Sequence, residues 1–253
     1  MKRIPVLLFH RVDEGTNIQK KRRNIEPGVF NKQMSWMSEQ GYRTISLEDM
    51  HAYYTYGKSI PEKSFCITFD DGYYDNYSQA FHILKKYGFK ATIFLATDLI
   101  RETSSASDVS HEFLSWVDIR EMVQEGFYFE SHGCSHRSLI ELSIEEIERE
   151  ALESKKIIEN KLQVGVQYFC YPFGKYNELV KRTIKMLGYK GAFGGIPFDN
   201  NGPLDCYEIG RVEIYGTDSL NEFRFKILHG FGYLSFIKRR FANISGLLHF
   251  SRQ

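Results

Sequence analysis

The chain of 253 residues is 42% hydrophobic and 26% charged, which is typical of a globular protein and excludes a disordered, collagenous or coiled-coil chain. Lys and Arg number 33 against 32 Asp and Glu, so the formal net charge is +1 and no overall field favours nucleic acid or another polyanion. The length fits a single α/β barrel, with a two-domain arrangement as the second choice.

The amino-terminal segment does not resemble a targeting sequence. Lys2 and Arg3 precede an apolar run that ends at His10, which is too short for the core of a secretory signal. No apolar stretch approaches the roughly 20 residues that a transmembrane helix needs. The four cysteines stand at Cys66, Cys134, Cys170 and Cys206. Because their spacing matches no redox or metal motif, we expect reduced, mostly buried thiols. With neither a targeting nor a membrane-spanning segment, we expect a cytoplasmic protein.

One junction recurs along the chain: an amphipathic stretch ends in glycine, an aromatic residue follows, and a β-rich run begins. It occurs at Gly41, Gly88, Gly126 and Gly188. Glycine suits the left-handed residue just beyond a helix, and the aromatic residue starts the next strand. The strands predicted in this way cover residues 4–9, 42–45, 65–69, 91–96, 127–130, 167–171, 191–193 and 208–214. Several are continuously apolar, as parallel strands buried on both faces are.

Helical patterns lie between these strands. The clearest covers residues 144–162 and is opened by Ser143 with Glu146 three residues on, which is a capping box. Another covers residues 77–87 and stops at Gly88. Seven or eight strands that alternate with helices within one domain's length favour a (β/α) barrel over an open doubly wound sheet.

Polar residues stand where the predicted strands end. They are His10, Asp70, Asp71, His132, Tyr171 and Pro172. In a (β/α) barrel the carboxyl ends of all strands share one face, and that face carries catalysis. Residues far apart in sequence are therefore expected to converge there.

The segment from Thr68 to Tyr73 holds two adjacent carboxylates and then Gly72, which allows a sharp turn. Adjacent side chains usually point apart, so one carboxylate can bind a metal while the other faces the substrate as a base. The alternative is that one of the two aspartates caps the helix that begins near Tyr73. These residues alone leave both interpretations open.

His132 and His136 stand four residues apart, an offset that lets both reach one metal ion. Two histidines and one carboxylate form a facial set with open positions, which suits catalytic Zn²⁺, with Co²⁺, Ni²⁺ or Fe²⁺ as alternatives. We exclude Cys134 as a ligand, because an alternating loop turns it away from the histidines. A chance pair is the alternative interpretation, since the chain has 8 histidines.

The segment from Tyr171 to Gly174 closes another predicted strand. Pro172 has no N–H group, so the next donor is the backbone N–H of Phe173, which is free to point at a developing oxyanion. A plain turn is the alternative interpretation of this motif.

Taken together, the motifs at residues 68–73, 131–136 and 171–174 resemble those of polysaccharide deacetylases, the NodB-homology group of carbohydrate esterase family 4. The resemblance covers about residues 4–214. The opening strand that ends in His10 is similar to that of the poly-N-acetylglucosamine deacetylase subgroup. The resemblance implies a distorted (β/α) barrel with seven or eight parallel strands in a single domain.

This resemblance implies a role for each motif residue. Asp71, His132 and His136 are expected to bind one divalent metal ion, Asp70 to act as general base and His10 as general acid, with Tyr73, Tyr171 and Pro172 beside the substrate. Many members carry arginine two residues before the motif proline, where this chain has Cys170. We take Arg211 as the residue that orients Asp70, with a plain strand arginine as the alternative.

Many members also take their acid from a C-terminal Leu-x-x-His-type segment, and the segment that ends in His229 is superficially similar. Phe223 and Ile227, with Asp218 before them, predict a capped helix there. His10 instead ends a strand on the expected catalytic face, and geometry is the first test of a general acid. We therefore prefer His10.

The resemblance implies a hydrolase that removes N-acetyl groups from an amino sugar or polysaccharide, with an acetylated glycan as partner and no nucleic acid. One alternative is a phosphatase with an aspartyl nucleophile, but those sites place one residue between their two aspartates. Another is a glycan-binding protein of the same fold with weak or no catalysis, since Cys170 replaces a family residue.

We expect the barrel over residues 1–215 and a helical, basic and aromatic extension over residues 216–253. That extension can pack on the barrel or make peripheral contact with a membrane surface, and packing is the preferred interpretation. The basic run Lys20 to Arg23 predicts a solvated loop.

Overall fold

The computed structural model describes residues 4–14, 23–103, 112–197 and 205–229. The strands are β1 Val6–Phe9, β2 Arg11–Val12, β3 Asn24–Ile25, β4 Arg43–Thr44, β5 Ser64–Asp71, β6 Thr92–Leu95, β7 Tyr128–Ser131, β8 Tyr168–Cys170, β9 Gly191–Pro197 and β10 Ile209–Glu213. The helices are α1 Pro27–Glu39, α2 Leu47–Tyr56, α3 His82–Lys86, α4 Trp116–Gln124, α5 Ile144–Leu162, α6 Glu178–Met186 and α7 Leu220–His229. A π-helical turn, Asn76–Phe81, precedes α3.

Seven parallel strands close into a barrel in the order β1, β10, β9, β8, β7, β6 and β5, and β5 pairs again with β1. The first residues of β5 also pair with the short strand β4, while the following residues pair with β1. This confirms the predicted distorted (β/α) barrel of seven or eight parallel strands: seven close the ring and β4 is the eighth.

The strands of the barrel are buried on both faces. All residues of β1 and β5 are buried, which accounts for their apolar sequences without alternation. Side chains that point inward form a small cluster, which includes Val6, Cys66, Phe94, Tyr168 and Phe193. Leu47 and Met50 of α2 join this inner cluster, so α2 packs against the interior of the barrel.

Local sequence signals explain where the helices begin and end. Ser46, Ser115 and Ser143 start α2, α4 and α5 as capping boxes. The glycines of the recurring junction, Gly41, Gly88, Gly126 and Gly188, all have positive φ angles. The predicted junction between helix and strand is therefore confirmed at each of its four positions.

Two local predictions need correction. The helix predicted over residues 77–87 is a π-helical turn followed by α3. Ser219, and not Asp218, hydrogen-bonds with Glu222 at the start of α7. The Asp218 carboxylate instead accepts hydrogen bonds from the Tyr215 amide and from Lys226 Nζ, so it anchors the segment before the helix.

The described part of the C-terminal extension packs on the barrel. The Phe223 ring of α7 is buried and its centroid lies 6.0 Å from that of Trp36 in α1. Residues 230–253, like Lys20 to Arg22 of the basic run, lie outside the described residues. Among the residues that the structure describes, no helix has the length and apolar character needed to cross a membrane.

All four cysteines carry free thiols in the structure. Cys66, Cys134 and Cys170 are buried, and Cys206 is half-buried. Burial raises the pKa of Cys134 to about 11, so this thiol stays protonated at neutral pH.

Candidate active site

The two adjacent aspartates at the end of β5 contact different residues. Asp71 faces His132 and His136, whereas Asp70 faces Arg211. Asp71 and Gly72 have φ angles of 76° and 75°, so the chain turns sharply here. The turn needs glycine, because a Cβ atom on Gly72 would lie 2.9 Å from Leu95 Cδ2. Neither carboxylate caps a helix, which removes the alternative interpretation of this motif.

A group of three metal-ligating side chains forms at this turn. Asp71 Oδ1 lies 3.4 Å from His132 Nε2 and 3.0 Å from His136 Nε2. One ligand atom from each of the three residues lies within 4.8 Å of the others. His132 Nδ1 lies 2.7 Å from the Cys170 carbonyl oxygen, which only accepts, so Nδ1 carries the proton and Nε2 keeps its lone pair.

The chemistry of this donor set fits a divalent metal ion. Two neutral imidazole nitrogens and a carboxylate oxygen are ligands that Zn²⁺ accepts, and three protein ligands leave positions for water and substrate. A second group, formed by Asp70, His132 and Cys170, is also compact. Both Asp70 oxygens already bind Arg211, whose Nη2 also lies 3.1 Å from Cys170 Sγ, so a cation already occupies that side.

Electrostatics favour a positive charge between these ligands. Burial acts to raise the pKa of Asp71, but hydrogen bonds from His132 and His136 outweigh it and hold that pKa well below its usual range. Burial acts to lower the pKa of His132, but Cys170 and Asp71 outweigh it and raise that pKa. The field of the carboxylate that stabilises a protonated imidazole also stabilises a bound metal cation.

The loop between the two histidines is held by Glu150 of α5. The buried Glu150 carboxylate accepts hydrogen bonds from the Cys134 amide at 2.7 Å, from the Ser135 amide at 2.9 Å and from the Ser135 hydroxyl. On the other side of the loop, the carbonyl oxygens of Gly133 and Cys134 accept from amides at positions 97 and 98. The loop between the two histidines is therefore held from both sides, by α5 and by the segment that follows β6. Cys134 Sγ points at the Glu150 carbonyl oxygen, away from the metal ligands.

Arg211 of β10 grips Asp70 with two parallel hydrogen bonds. Nη1 and Nη2 each lie 2.7 Å from a different Asp70 oxygen, and Nη1 also lies 3.2 Å from Thr68 Oγ1. Burial acts to raise the pKa of Asp70, but the Arg211 charge and hydrogen bonds outweigh it and lower that pKa. Asp70 is therefore ionised at neutral pH, and its remaining lone pairs are available to accept a proton.

His10 directly follows β1 and lies in the same cavity as the two aspartates. Asn76 Nδ2 donates to the His10 carbonyl oxygen at 2.9 Å, and the Asp75 carboxylate accepts from the Val12 amide at 2.8 Å. Asp75, which precedes the π-helical turn, and Asn76, its first residue, thus hold the chain on both sides of Arg11. Burial lowers the pKa of His10, although the charges of Asp70 and Asp71 act to raise it.

A cavity of about 270 Å³ opens at the carboxyl ends of the barrel strands. It is lined by Leu8, His10, Arg23, Asp70, Asp71, His132, His136, Phe173, Gly174, Gly194, Arg211, Glu213 and Tyr215. The predicted acid, the predicted base, all three predicted metal ligands and Arg211 therefore reach one space. His229, the alternative acid, is the last residue of α7 and its side chain lies outside the described residues.

The motif around Pro172 is placed partly as expected. Phe173 has a φ angle of 59° and 54% of its surface is exposed, and its ring centroid lies 4.7 Å from that of His136. Tyr171 and Pro172 differ from the expectation, because both side chains are buried and neither lines the cavity. Tyr171 instead donates its hydroxyl to the Tyr207 carbonyl oxygen.

Tyr73 also lies beside the cavity and not in its lining. Its ring stacks on Phe113 at 5.1 Å and lies under the Arg11 guanidinium at 4.6 Å. The Tyr73 phenol lies close to Asp71, so burial and the charge of Asp71 raise the pKa of Tyr73. Tyr73 is therefore placed to contact Asp71, and it does not line the cavity where a substrate would bind.

Sequence reasoning missed several polar residues near the site. Glu150 shares the buried face of α5 with Ile147 and Ala151, and a charged residue in an apolar stripe is the signal that marks it. Glu213 stands two residues after Arg211, so strand alternation places it on the same face. Asn76 had no such signal, because its contact with His10 depends on the fold.

A family model described as Polysaccharide deacetylase matches residues 57–192. Bacillus subtilis YxkH, which is named as a polysaccharide deacetylase, is 30% identical over 213 residues, covering 84% of this chain and 71% of that protein. Escherichia coli poly-beta-1,6-N-acetyl-D-glucosamine N-deacetylase is 24% identical, covering 87% of this chain and 38% of that protein. The solved structure of Streptococcus pyogenes deacetylase PplD in complex with acetate gives a TM-score of 0.77 at 27% identity, covering 88% of this chain and 97% of that chain. The chain therefore spans less than half of the E. coli relative.

Proposed function

This chain belongs to the polysaccharide deacetylase family, and from that premise we propose that it hydrolyses N-acetyl groups of an amino sugar or polysaccharide, releasing acetate and a free amine. The comparisons thus confirm the family, and with it the class of enzyme, a deacetylase, that the sequence motifs predict. One observation carries the proposal: the cavity brings His10, Asp70 and the set Asp71, His132 and His136 together.

In this proposal Asp71, His132 and His136 hold one divalent metal ion, with Zn²⁺ as the first choice. A bound ion of this kind supplies Lewis-acid chemistry, because it makes water more acidic and polarises a carbonyl oxygen. His132 Nε2 is available for this role because Nδ1 is committed to the Cys170 carbonyl oxygen.

Asp70 takes the proton from the attacking water. Its two bonds to Arg211 fix the plane of the carboxylate and keep it ionised, so that it can accept the proton when water attacks the acetamide carbon. Many family members carry an arginine two residues before the motif proline, where this chain has Cys170. Arg211 performs the orienting role of that arginine here. Cys170 therefore gives less support to the inactive glycan-binding alternative.

His10 gives a proton to the leaving nitrogen, because an amide anion is too basic to depart unaided. His10 must be protonated at that step, and burial makes its imidazolium a stronger donor. The backbone N–H of Phe173 donates to the developing oxyanion, and the positive φ of this residue belongs to the turn that places it at the cavity. Each of these roles is a proposal that mutants can test.

The names of the relatives support an N-acetylated glycan as substrate. The E. coli relative acts on poly-β-1,6-N-acetyl-D-glucosamine by name, and the motif around His10 is similar to that subgroup. A single amino sugar, a lipid-linked sugar and peptidoglycan remain alternatives of the same chemical class.

The test is metal-dependent acetate release from a panel of N-acetylglucosamine oligomers, lipid-linked N-acetylhexosamines and peptidoglycan. We expect acetate and free amine in equal amounts from at least one substrate, with loss of activity after chelation. A protein that binds an oligomer tightly and releases no acetate with Zn²⁺, Co²⁺, Ni²⁺ or Fe²⁺ is a glycan-binding protein, and the proposed function is then wrong.

A further inference from the structure

One wall of the cavity has no part in the proposed reaction. Glu213 ends β10 and Tyr215 follows it, and both line the cavity. In the register of the barrel Glu213 lies opposite Leu8 of β1, and Leu8 also lines the cavity. Side chains on one face of a strand repeat every second residue, so Glu213 follows Arg211 on the inward face as His10 follows Leu8.

This register places the wall beside His10. Neighbouring strands lie about 4.8 Å apart, and Glu213 is level with the residue two positions before His10. In the proposed reaction His10 protonates the leaving nitrogen, so the sugar ring that carries this nitrogen lies on the His10 side. The acetyl group faces the metal ligands instead. Glu213 and Tyr215 are therefore close enough to this side of the cavity to contact the sugar ring.

The wall is rigidly built. The Tyr215 hydroxyl donates to Glu213 Oε2 at 2.6 Å. Lys226 of α7 is 3% exposed, donates from Nζ to the Glu213 carbonyl oxygen at 2.9 Å and lies 4.4 Å from the centroid of the Tyr215 ring. Asp218 accepts from Lys226 and from the Tyr215 amide, which closes this network. The carboxylate and the phenol are thus fixed before any substrate arrives.

The chemistry of the wall suits hydroxyl groups. The Tyr215 hydroxyl occupies one Glu213 oxygen, and no cation among the described residues forms an ion pair with this carboxylate, which leaves the other oxygen as an acceptor. Arg23 lines the same cavity and brings N–H donors near His10, where its charge acts to lower the His10 pKa. A ring hydroxyl both donates and accepts, so it matches a wall that offers both groups.

We propose that Glu213, Tyr215 and Arg23 form a subsite for the ring hydroxyls of the sugar that carries the leaving nitrogen. The subsite selects polyhydroxylated amino sugars over acetylated amines that lack a sugar ring. This inference rests on the proposed function, because the direction of the sugar follows from the role of His10.

Binding tests the subsite without turnover. In the Asp70→Asn background, an N-acetylglucosamine pentamer is titrated calorimetrically into the full chain and into the chain with Glu213→Ala added. We expect affinity to fall about 10- to 100-fold, which is the effect of losing a hydrogen bond to a charged group. Glu213→Gln keeps an acceptor oxygen and the side-chain shape, so it should retain part of the affinity. Glu178→Gln, an exposed change on α6, serves as the matched control.

A second measurement separates this inference from the proposed function. The ratio of kcat/KM for the pentamer to kcat/KM for 4-nitrophenyl acetate, which has no sugar ring, is compared between the wild type and Glu213→Ala. We expect this ratio to fall about tenfold or more, mainly through a higher KM for the pentamer. Unchanged pentamer affinity, or an equal loss on both substrates, overturns the subsite. Absence of acetate release with normal, Glu213-dependent binding overturns the proposed function; Glu213 then contacts a bound glycan, and its assignment to the sugar with the leaving nitrogen falls with the reaction.

Discussion

Asp70 and Asp71 are chemically identical neighbours, and their surroundings give them different tasks. Asp70 is held by a buried guanidinium that leaves it ionised, whereas Asp71 faces two imidazole nitrogens. The turn at Gly72 separates the two side chains, so one position in the chain provides both the proposed base and a proposed metal ligand. Removing Asp70 and removing Asp71 should therefore have different effects on metal content and on turnover.

Asp71→Ala should lose the metal ion, because it removes one of only three protein ligands. Asp70→Asn should keep the metal and lose turnover by about 100- to 10,000-fold, as loss of a general base does. Metal content by mass spectrometry, measured beside acetate release, checks both. An Asp70→Asn variant with full activity contradicts the assignment of the base.

Arg211→Met should destabilise the fold. It leaves the Asp70 carboxylate buried without its partner, and breaking a buried ion pair in this way costs about 3–5 kcal/mol of the free energy of unfolding. Adding Asp70→Asn removes the uncompensated charge and should recover part of that loss. Urea unfolding of the single and double variants measures both effects, and an Arg211→Met protein as stable as the wild type contradicts the argument.

Among the elements, α5 supports the proposed metal site. Its Glu150 binds the loop between the histidines, and its Ser154 contacts Ser131 at the end of β7. A helix packed outside the barrel therefore helps to hold the loop that carries two proposed metal ligands inside the cavity. The same helix carries Glu153, which is exposed and provides a control.

Glu150→Ala should weaken Zn²⁺ binding by about 10- to 100-fold, the usual cost of removing a group that orients metal ligands. Glu150→Gln should fall between this variant and the wild type, because one acceptor oxygen remains. Competition with a chromophoric chelator gives the affinities, and Glu153→Ala should match the wild type. Equal affinity of Glu150→Ala and wild type contradicts the role of Glu150.

The π-helical turn and Asp75, the residue before it, support the other side of the cavity, and the contribution of Asp75 to the free energy of unfolding depends on pH. Burial raises the pKa of Asp75, despite hydrogen bonds from Val12 and Arg11 that act to lower it. The folded state therefore binds this proton more tightly than the unfolded state. Asp75 contributes its full stability below the ordinary Asp pKa of about 4, and loses it as pH rises through the folded pKa.

Asp75→Asn removes this titration and keeps an oxygen for the Val12 amide. The difference in free energy of unfolding, variant minus wild type, should move in favour of the variant as pH rises through that window. It should then level off. Urea unfolding of both proteins between about pH 4 and pH 7 measures the difference. A flat difference, or one that moves in favour of the wild type, contradicts the expected direction.

For the whole molecule, the barrel was predictable because its strands are buried on both faces and several of them begin just after a glycine-marked junction. All eight predicted strands are present, although β9 continues to Pro197, beyond the predicted end at residue 193. β2 and β3 have two residues each, too few to show any periodicity. The closing pairing of β1 with β5 leaves no local signal, so the alternation of strands and helices predicts seven or eight strands but does not establish that they close into a ring.

The part of the site that could be predicted from the sequence consists of residues in short local motifs. Asp71, His132 and His136 meet because strand ends share a face, which follows from the fold class. The supports of these residues were not predictable, since Glu150 and Asn76 act through contacts between distant segments. The burial of Tyr171 was missed for a similar reason, because it depends on Tyr176 and Phe169 packed against its ring.

We propose that one metal ion held by Asp71, His132 and His136 drives deacetylation in this cavity. Stepwise addition of Zn²⁺ to the metal-free chain, with acetate release from an N-acetylglucosamine oligomer as the readout, tests this role. We expect the rate to rise in proportion to added metal and to stop rising at one equivalent, with no rise in Asp71→Ala. A rate that is indifferent to added metal, or that rises equally in Asp71→Ala, contradicts the proposed role of the metal ion.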